Sequence, residues 1–189
     1  MAADAQGRHL PSNVNVCCVF LCRDKRGRLL LHRRTPACRD EVGTWDSGGG
    51  QLEFGEDPLA ALWREVLEEY QTHPRRIRPI GLRTVLRERD GHLTHWLAVV
   101  FEVLVDPATV RVGEPDKMAD LQWFDLDGLP APLHSQLQGH LSLLPQWRER
   151  RVRLRRRLRR AVHRAFPPQH GHTGTRAPVA TQLKRRQRW

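Results

Sequence analysis

The stretch from Gly48 to Glu69 constrains this chain more than any other: three successive glycines, then a segment that opens at Asp57-Pro58 and carries Glu65, Glu68 and Glu69. Asp at the N-cap and Pro at the first helical position are good helix starts, and Leu59 to Tyr70 holds no breaker, so a helix is predicted there. Helical geometry puts positions i, i+3 and i+4 on one face, and the three carboxylates therefore project together. Such like charges repel by some tenths of a kcal/mol per pair and invite a compensating cation; an all-oxygen set suits Mg²⁺. A merely solvated helix face can carry acids at the same spacing, and the neighbouring glycines separate the two readings. Gly48, Gly49 and Gly50 let a backbone turn sharply and come close to a ligand. A second face, Leu59, Leu62, Val66 and Tyr70, is expected to pack on a sheet and so fix the direction of the acids. Arg64 can pair with Glu56, just before the helix, and hold the loop against it.

The rest of the chain supplies that sheet. Val14 to Cys22 is an almost continuous apolar run, broken at Arg23-Asp24-Lys25-Arg26-Gly27 and resumed from Arg28 to His32, which reads as a buried hairpin. Arg78–Arg87 and Leu93–Val105 read as a second hairpin turning at Asp90-Gly91. Asp120–Asp125 reads as a short strand, and Leu133–Leu144 as helical. Cys17, Cys18, Cys22 and Cys38 form no CxxC pair, so buried reduced thiols are expected. Core or surface packing is expected of Trp45, Trp63, Trp96 and Trp123, and His92 and His95 receive no role.

The net charge of +11 belongs to one end. Residues 1–146 hold 17 Lys/Arg against 20 Asp/Glu, whereas residues 147–189 hold 15 against Glu149 alone. The chain therefore reads as an N-terminal segment (1–13), one catalytic domain (14–146) and a basic extension (147–189). Trp147–Phe166 is a helix candidate with Leu154, Leu158, Ala161 and Ala165 at helical spacing; beyond Pro167 no periodicity remains and disorder is expected. Nucleic acid or an anionic surface are the partners such an extension suits, beside a plain solvated tail. No apolar run is long enough to span a bilayer and no signal-like N-terminus is present, so a cytoplasmic protein is expected. Nothing in the sequence sets an oligomeric state.

Gly50, five residues, Glu56, seven residues, then Arg64-Glu65-Val66-Leu67-Glu68-Glu69 resembles the Nudix family, whose box has this order. Two positions depart, Gln71 standing where the family has Gly and Thr72 where it has an aliphatic residue. Gly48 also replaces a Pro that many members carry. The likeness covers roughly residues 14–145; Leu29–Arg34 is similar to the family's second strand, Gly50–Glu56 to its MutT-like, nucleoside-triphosphate-cleaving branch, and Leu121–Phe124 with Leu129-Pro130 to its closing strand and turn. The implied fold is an α/β/α sandwich on a mixed sheet, followed here by the basic extension. The implied activity is Mg²⁺-dependent (alternatively Mn²⁺-dependent) cleavage of a diphosphate linkage in a nucleotide. Glu65 and Glu69 are then the principal metal ligands and Glu68 a ligand or general base. Glu56 orients Arg64, Gly49 and Gly50 allow close backbone approach to substrate, and Arg34 is a candidate phosphate contact. Glu53 and Glu114 are weaker candidates for an extra carboxylate. The alternative is a Nudix-like binding module for nucleotides or nucleic acid with weak or no turnover.

Overall fold

The computed structural model describes residues 13–89 and 92–145. The helix expected at Trp147–Phe166, the tail beyond it and the Asp90-Gly91 turn lie outside the described residues, as does nearly all of the N-terminal segment. A seven-stranded sheet organises the rest: β1 (Asn15–Arg23), β2 (Leu29–Arg34), β3 (Trp45–Asp46), β4 (Gly48–Gln51), β5 (Arg76–Arg89), β6 (His92–Leu104) and β7 (Met118–Phe124), with helices α1 (Pro58–Tyr70) and α2 (Leu137–Leu141). The main strand order is β3-β2-β1-β6-β5, with β4 beside β1 and β7 beside β2. β1 runs parallel to β6 and the other pairings are antiparallel, so the sheet is mixed.

Each strand serves two cores because successive side chains alternate between faces. Cys18, Phe20 and Cys22 of β1, with Phe101 and Val103 of β6, pack under Ala61, Leu62, Val66 and Tyr70 of α1. Leu21, Leu29, Leu31 and Val100 face the other way, against Leu137 and Leu141 of α2. This is the expected sandwich, and burial on both faces explains why β1 reads as an unbroken apolar run. Leu59 is an exception to the expected apolar face of α1. It stays 45% exposed while Ala61 takes the buried place, because the helix start overhangs the sheet and only its later turns lie flat on it.

The first hairpin differs more from expectation. β1 and β2 meet only at Arg23 and Leu29; β1 instead takes β6 on one side and β4 on the other, while β2 takes β7 and β3. A strand apolar on both faces belongs inside a sheet and needs a neighbour along each edge, which a two-stranded hairpin cannot supply. The expected helix over 133–144 is confined to α2. Its first residues are taken by β3: Trp45 accepts from His134 N–H and donates to the Pro132 carbonyl, both at 2.9 Å. The strand at Asp120 begins earlier than expected, at Met118. All four cysteines are free, but Cys17 and Cys38 are only partly buried; Cys17 alternates with buried Cys18 and so faces the opposite side of the sheet.

Candidate active site

Helix α1 starts as its sequence dictates, the Asp57 carboxylate accepting from Leu59 N–H at 2.8 Å. It ends without the glycine usual at such a place: Gln71 itself takes the left-handed conformation (φ 49°, ψ 34°) and its N–H bonds to the Leu67 carbonyl. A side chain there costs some strain relative to glycine, and the helix nevertheless stops at the same place.

The glycines act through close approach and not through a turn. Gly48–Gln51 form strand β4, hydrogen-bonded along Cys17–Phe20 of β1 and pressed beneath α1. A Cβ on Gly50 would stand 1.8 Å from Glu65 Oε1, and one on Gly48 would stand 2.5 Å from Glu69 Oε2 and inside the Phe20 ring contact. On Gly49 it would meet the Cys18 carbonyl at 2.7 Å. Only three bare backbones in succession allow the strand and the two carboxylates to share this space.

Glu65 and Glu69 therefore lie against β4. Glu69 is 7% exposed, and its one hydrogen bond is accepted from Gly49 N–H at 3.3 Å. Burial, then the charges of Glu65 and Glu114, push its carboxyl well above the usual range. Burial also raises Glu65, against the opposing pull of Arg64. Glu68 does not join them: its side chain is half exposed and reaches Arg64 at 3.1 Å. Among the described residues no group of three or more His, Cys, Asp or Glu is arranged to hold a metal ion, so the convergence of three carboxylates foreseen from the helix is not reproduced; the wide spread of one helical turn leaves Glu68 on its solvent side.

Arg64 ties the acids together. It forks onto Glu56, with Nε to Oε1 and an η nitrogen to Oε2 both at 2.9 Å, reaches Glu65 at 2.8 Å, and donates to the Gln51 carbonyl at 3.3 Å. The hydrogen bonds from Glu56 hold its guanidinium even more firmly protonated than usual and hold the Glu56 carboxyl low. Glu53 is nearly three-quarters exposed and only 4.0 Å from Arg64 at its closest. Glu114 comes nearer to the chemistry: it lines the same cavity as Glu69 and is bonded to Lys117 at 2.7 Å. The segment that carries it is docked on the end of α1 through Gly113 N–H to the Glu69 carbonyl, 2.8 Å.

That cavity, about 420 Å³, opens beside the glycine strand. Arg34 reaches it as expected, but its guanidinium is engaged by Asp40 at 3.0 Å and lies 3.6 Å from Asp46. The remaining wall was not foreseen in the sequence. His134 lies 3.2 Å from Glu41 and 3.4 Å from Asp46, Glu41 accepts from Ser135 N–H and hydroxyl at 2.7 Å, and Arg87 bonds Asp40 and approaches His134 at 3.2 Å. Burial raises Asp46 to about 7 and lowers His134 to about 4. His32, lowered by burial to about 3, meets the Tyr70 hydroxyl at 3.1 Å. Asp46, two residues before the glycines, had a positional signal; Glu41, Arg87 and His134 come from distant segments and had none. Trp96 is a buried part of the cavity wall with the Arg39 guanidinium 5.4 Å over its ring, while Trp63 is 41% exposed.

Residues 11–146 match the family model of the NUDIX domain. Among solved structures, the chain is similar to the MutT NUDIX hydrolase from Burkholderia pseudomallei, with 30% identity over 70% of this chain and 99% of that one, TM-score 0.62. It is similar to the MutT protein from Methanosarcina mazei Go1, with 27% identity over 65% of this chain and 89% of that one, TM-score 0.51. The NUDIX domain of Shewanella oneidensis NrtR, solved with ADP ribose, shares the fold at 17% identity over 78% and 92%, TM-score 0.56. Among the described residues no helix is long and apolar enough to cross a membrane.

Proposed function

Because this chain belongs to the Nudix hydrolase family and is a MutT-like pyrophosphohydrolase by its domain and its relatives, we propose that residues 14–146 cleave a diphosphate linkage in a nucleoside triphosphate, or in a related nucleoside diphosphate derivative. The observation that carries this reading is the pair Glu65 and Glu69, buried against bare glycine backbone at the edge of a cavity of about 420 Å³. Nudix enzymes generally use divalent metals, and the donor set fits one. Glu69 has no cationic partner among the described residues, its carboxyl is raised by burial and by neighbouring acids, and hard oxygen donors suit Mg²⁺ or Mn²⁺.

In this reading Glu65 and Glu69 hold the cation, with Glu68 a further ligand or the general base. A bound divalent ion supplies neutralisation of diphosphate charge and a more acidic water. The chain's own groups do the rest. Glu68, the most accessible of the three, accepts the proton of the attacking water; the water oxygen forms a bond to phosphorus while the bridging P–O bond breaks toward the leaving phosphate. Glu56 keeps the Arg64 fork in place, so that Glu65 and Glu68 are presented from a fixed helix face. Gly49 and Gly50 let phosphate oxygens approach the backbone closely. Arg34 meets substrate phosphate at the cavity wall, where Asp40 and Asp46 position its guanidinium.

Positioned charge of this kind suits phosphoryl chemistry, which needs orientation and electrostatic stabilisation more than covalent catalysis. The test is a panel of nucleoside triphosphates, dinucleotides and sugar nucleotides, incubated with the full chain and Mg²⁺ while phosphate, pyrophosphate and nucleotide release are followed. Mg²⁺-dependent release from a triphosphate that is abolished in Glu69→Gln supports the proposal; equal release by parent and variant removes the metal site. Tight nucleotide binding with no release from any member of the panel replaces hydrolysis by the binding-module reading.

A further inference from the structure

Far from the catalytic cavity, Leu104 near the end of β6 pairs with Arg23 of β1 on one side and with Arg76 of β5 on the other. The register thus gathers two basic stretches that are remote in sequence, Arg23-Asp24-Lys25-Arg26 and Arg75-Arg76-Ile77-Arg78, at one end of the sheet. Between them lies a cleft of about 480 Å³ whose charged lining is Arg23, Lys25, Arg26, Arg76 and Arg78 against Asp24 and Glu102. Both acids are already engaged. Glu102 is shared by Arg23, at 2.9 Å, and Arg78, and Asp24 is bonded to Arg28 at 2.8 Å. Lys25, Arg26 and Arg76 are exposed and make no ion pair among the described residues. The buried Nε of Arg23 has no acceptor, so even that guanidinium is only partly answered. Three unopposed cations in one cleft repel one another, which an anion would relieve.

We propose that this cleft is a second, non-catalytic site that takes the phosphodiester backbone of a nucleic acid. An adjoining cavity of about 400 Å³ shares Lys25 and Arg26 and adds Arg28 and Arg75, so the cations extend along a groove instead of ringing a single point, as a chain of phosphates requires. The lining holds no aromatic ring on which a base could stack; recognition is of the backbone and independent of sequence. Six residues of β1 separate Arg23 from Cys17 in the catalytic wall, roughly 20 Å at the rise of a strand, so a bound polymer leaves that cavity open.

The experiment is fluorescence anisotropy of a labelled mixed-sequence single-stranded DNA with the full chain, titrated at several salt concentrations and repeated with Lys25→Gln/Arg26→Gln/Arg76→Gln. The 15 basic residues of 147–189 are common to both proteins, so the difference reports the cleft. With three phosphates released, the slope of log K against log salt is expected to flatten by about 2, at roughly 0.7 per contact, and by about 0.7 in each single variant. The triple variant keeps the parent's hydrolytic rate, which reports an intact fold independently of DNA. Identical slopes and affinities in parent and triple variant overturn the proposal. So does saturable binding of inorganic pyrophosphate that the triple substitution abolishes while DNA binding is unchanged, since the cleft would then be a small-anion site.

Discussion

The two walls of the catalytic cavity are both rich in buried charge and are built on opposite principles. On the α1 wall, acids crowd together: Glu65 and Glu69 sit against the glycine strand with Glu114 near, Arg64 answers Glu65 and Glu68, Lys117 answers Glu114, and Glu69 is left with one backbone N–H. On the facing wall each acid has its own partners. Asp40 is held between Arg34 and Arg87, Glu41 between Ser135 and His134, and Asp46 between Arg34, His134 and the N–H of Ser47. Burying an ionised group costs several kcal/mol unless it is paired. The facing wall is complete in itself and acts as scaffold; the α1 wall is complete only when a cation is bound.

Replacing the unpaired acid separates the walls most sharply. Glu69→Gln is expected to lower the Mg²⁺-dependent rate at least 100-fold, about 2.7 kcal/mol of barrier, while raising the metal-free melting temperature. The sign follows from the direction of the shift. A carboxyl raised in the folded state binds its proton more tightly there, so its contribution favours folding at low pH and is lost as pH rises from its unfolded value of 4.5 toward the folded one. The variant's advantage in stability is therefore absent below pH 4.5 and grows above it; thermal melts across pH without metal would show this, and a variant less stable than the parent at pH 7 would refute the account of the α1 wall.

Gly50→Ala comes next. The added methyl has no space beside Glu65, so overpacking of about 1–3 kcal/mol is expected, with loss of activity as the carboxylate is displaced. Gly128→Ala, where nothing lies within 4 Å, serves as the control and is expected to stay within about 0.5 kcal/mol in denaturant melts. Arg64→Lys keeps the charge but loses the fork onto Glu56; a rate loss of about 10-fold is expected in steady-state kinetics, as for a group that orients ligands through their partners.

The smallest expected effect lies on the other side of the cavity. His32 and His134 are buried neutral, at about 3 and about 4 against 6.5 unfolded. Their contribution is intact above pH 6.5 and declines below it, by up to about 1.4 kcal/mol per pH unit for each. His32→Gln should flatten the stability curve between pH 6.5 and 4, and an unchanged slope would place the acid sensitivity elsewhere.

Much of the α1 wall was legible because its signals are local. The N-cap and proline set the start of the helix, the 3.6-residue period sets the direction of the acids, and the Arg64–Glu56 pair spans eight residues. Even there, local pattern went only so far. It put Glu65, Glu68 and Glu69 on one face, yet burial divides them, since the sheet below reaches Glu69 and stops short of Glu68. It marked the glycines for a turn, while their use is to let β4 slide beneath a helix. The β1–β2 hairpin failed as an expectation for a related reason: a run apolar on both faces declares that it is interior but not which strands flank it, and the parallel neighbour β6 lies about eighty residues away.

What the chain determined by itself, then, is the helix, its acid face, its clamp and the two-sided apolar character of β1, all properties of residues within a few turns of one another. The tertiary structure decided which carboxylate is left without a partner, how Arg34, Asp46, Arg87 and His134 assemble into one wall, and how Arg23 and Arg76 come to flank Leu104. The physical reason is that burial and pairing of charge depend on strand register between distant segments, which composition and local periodicity do not encode.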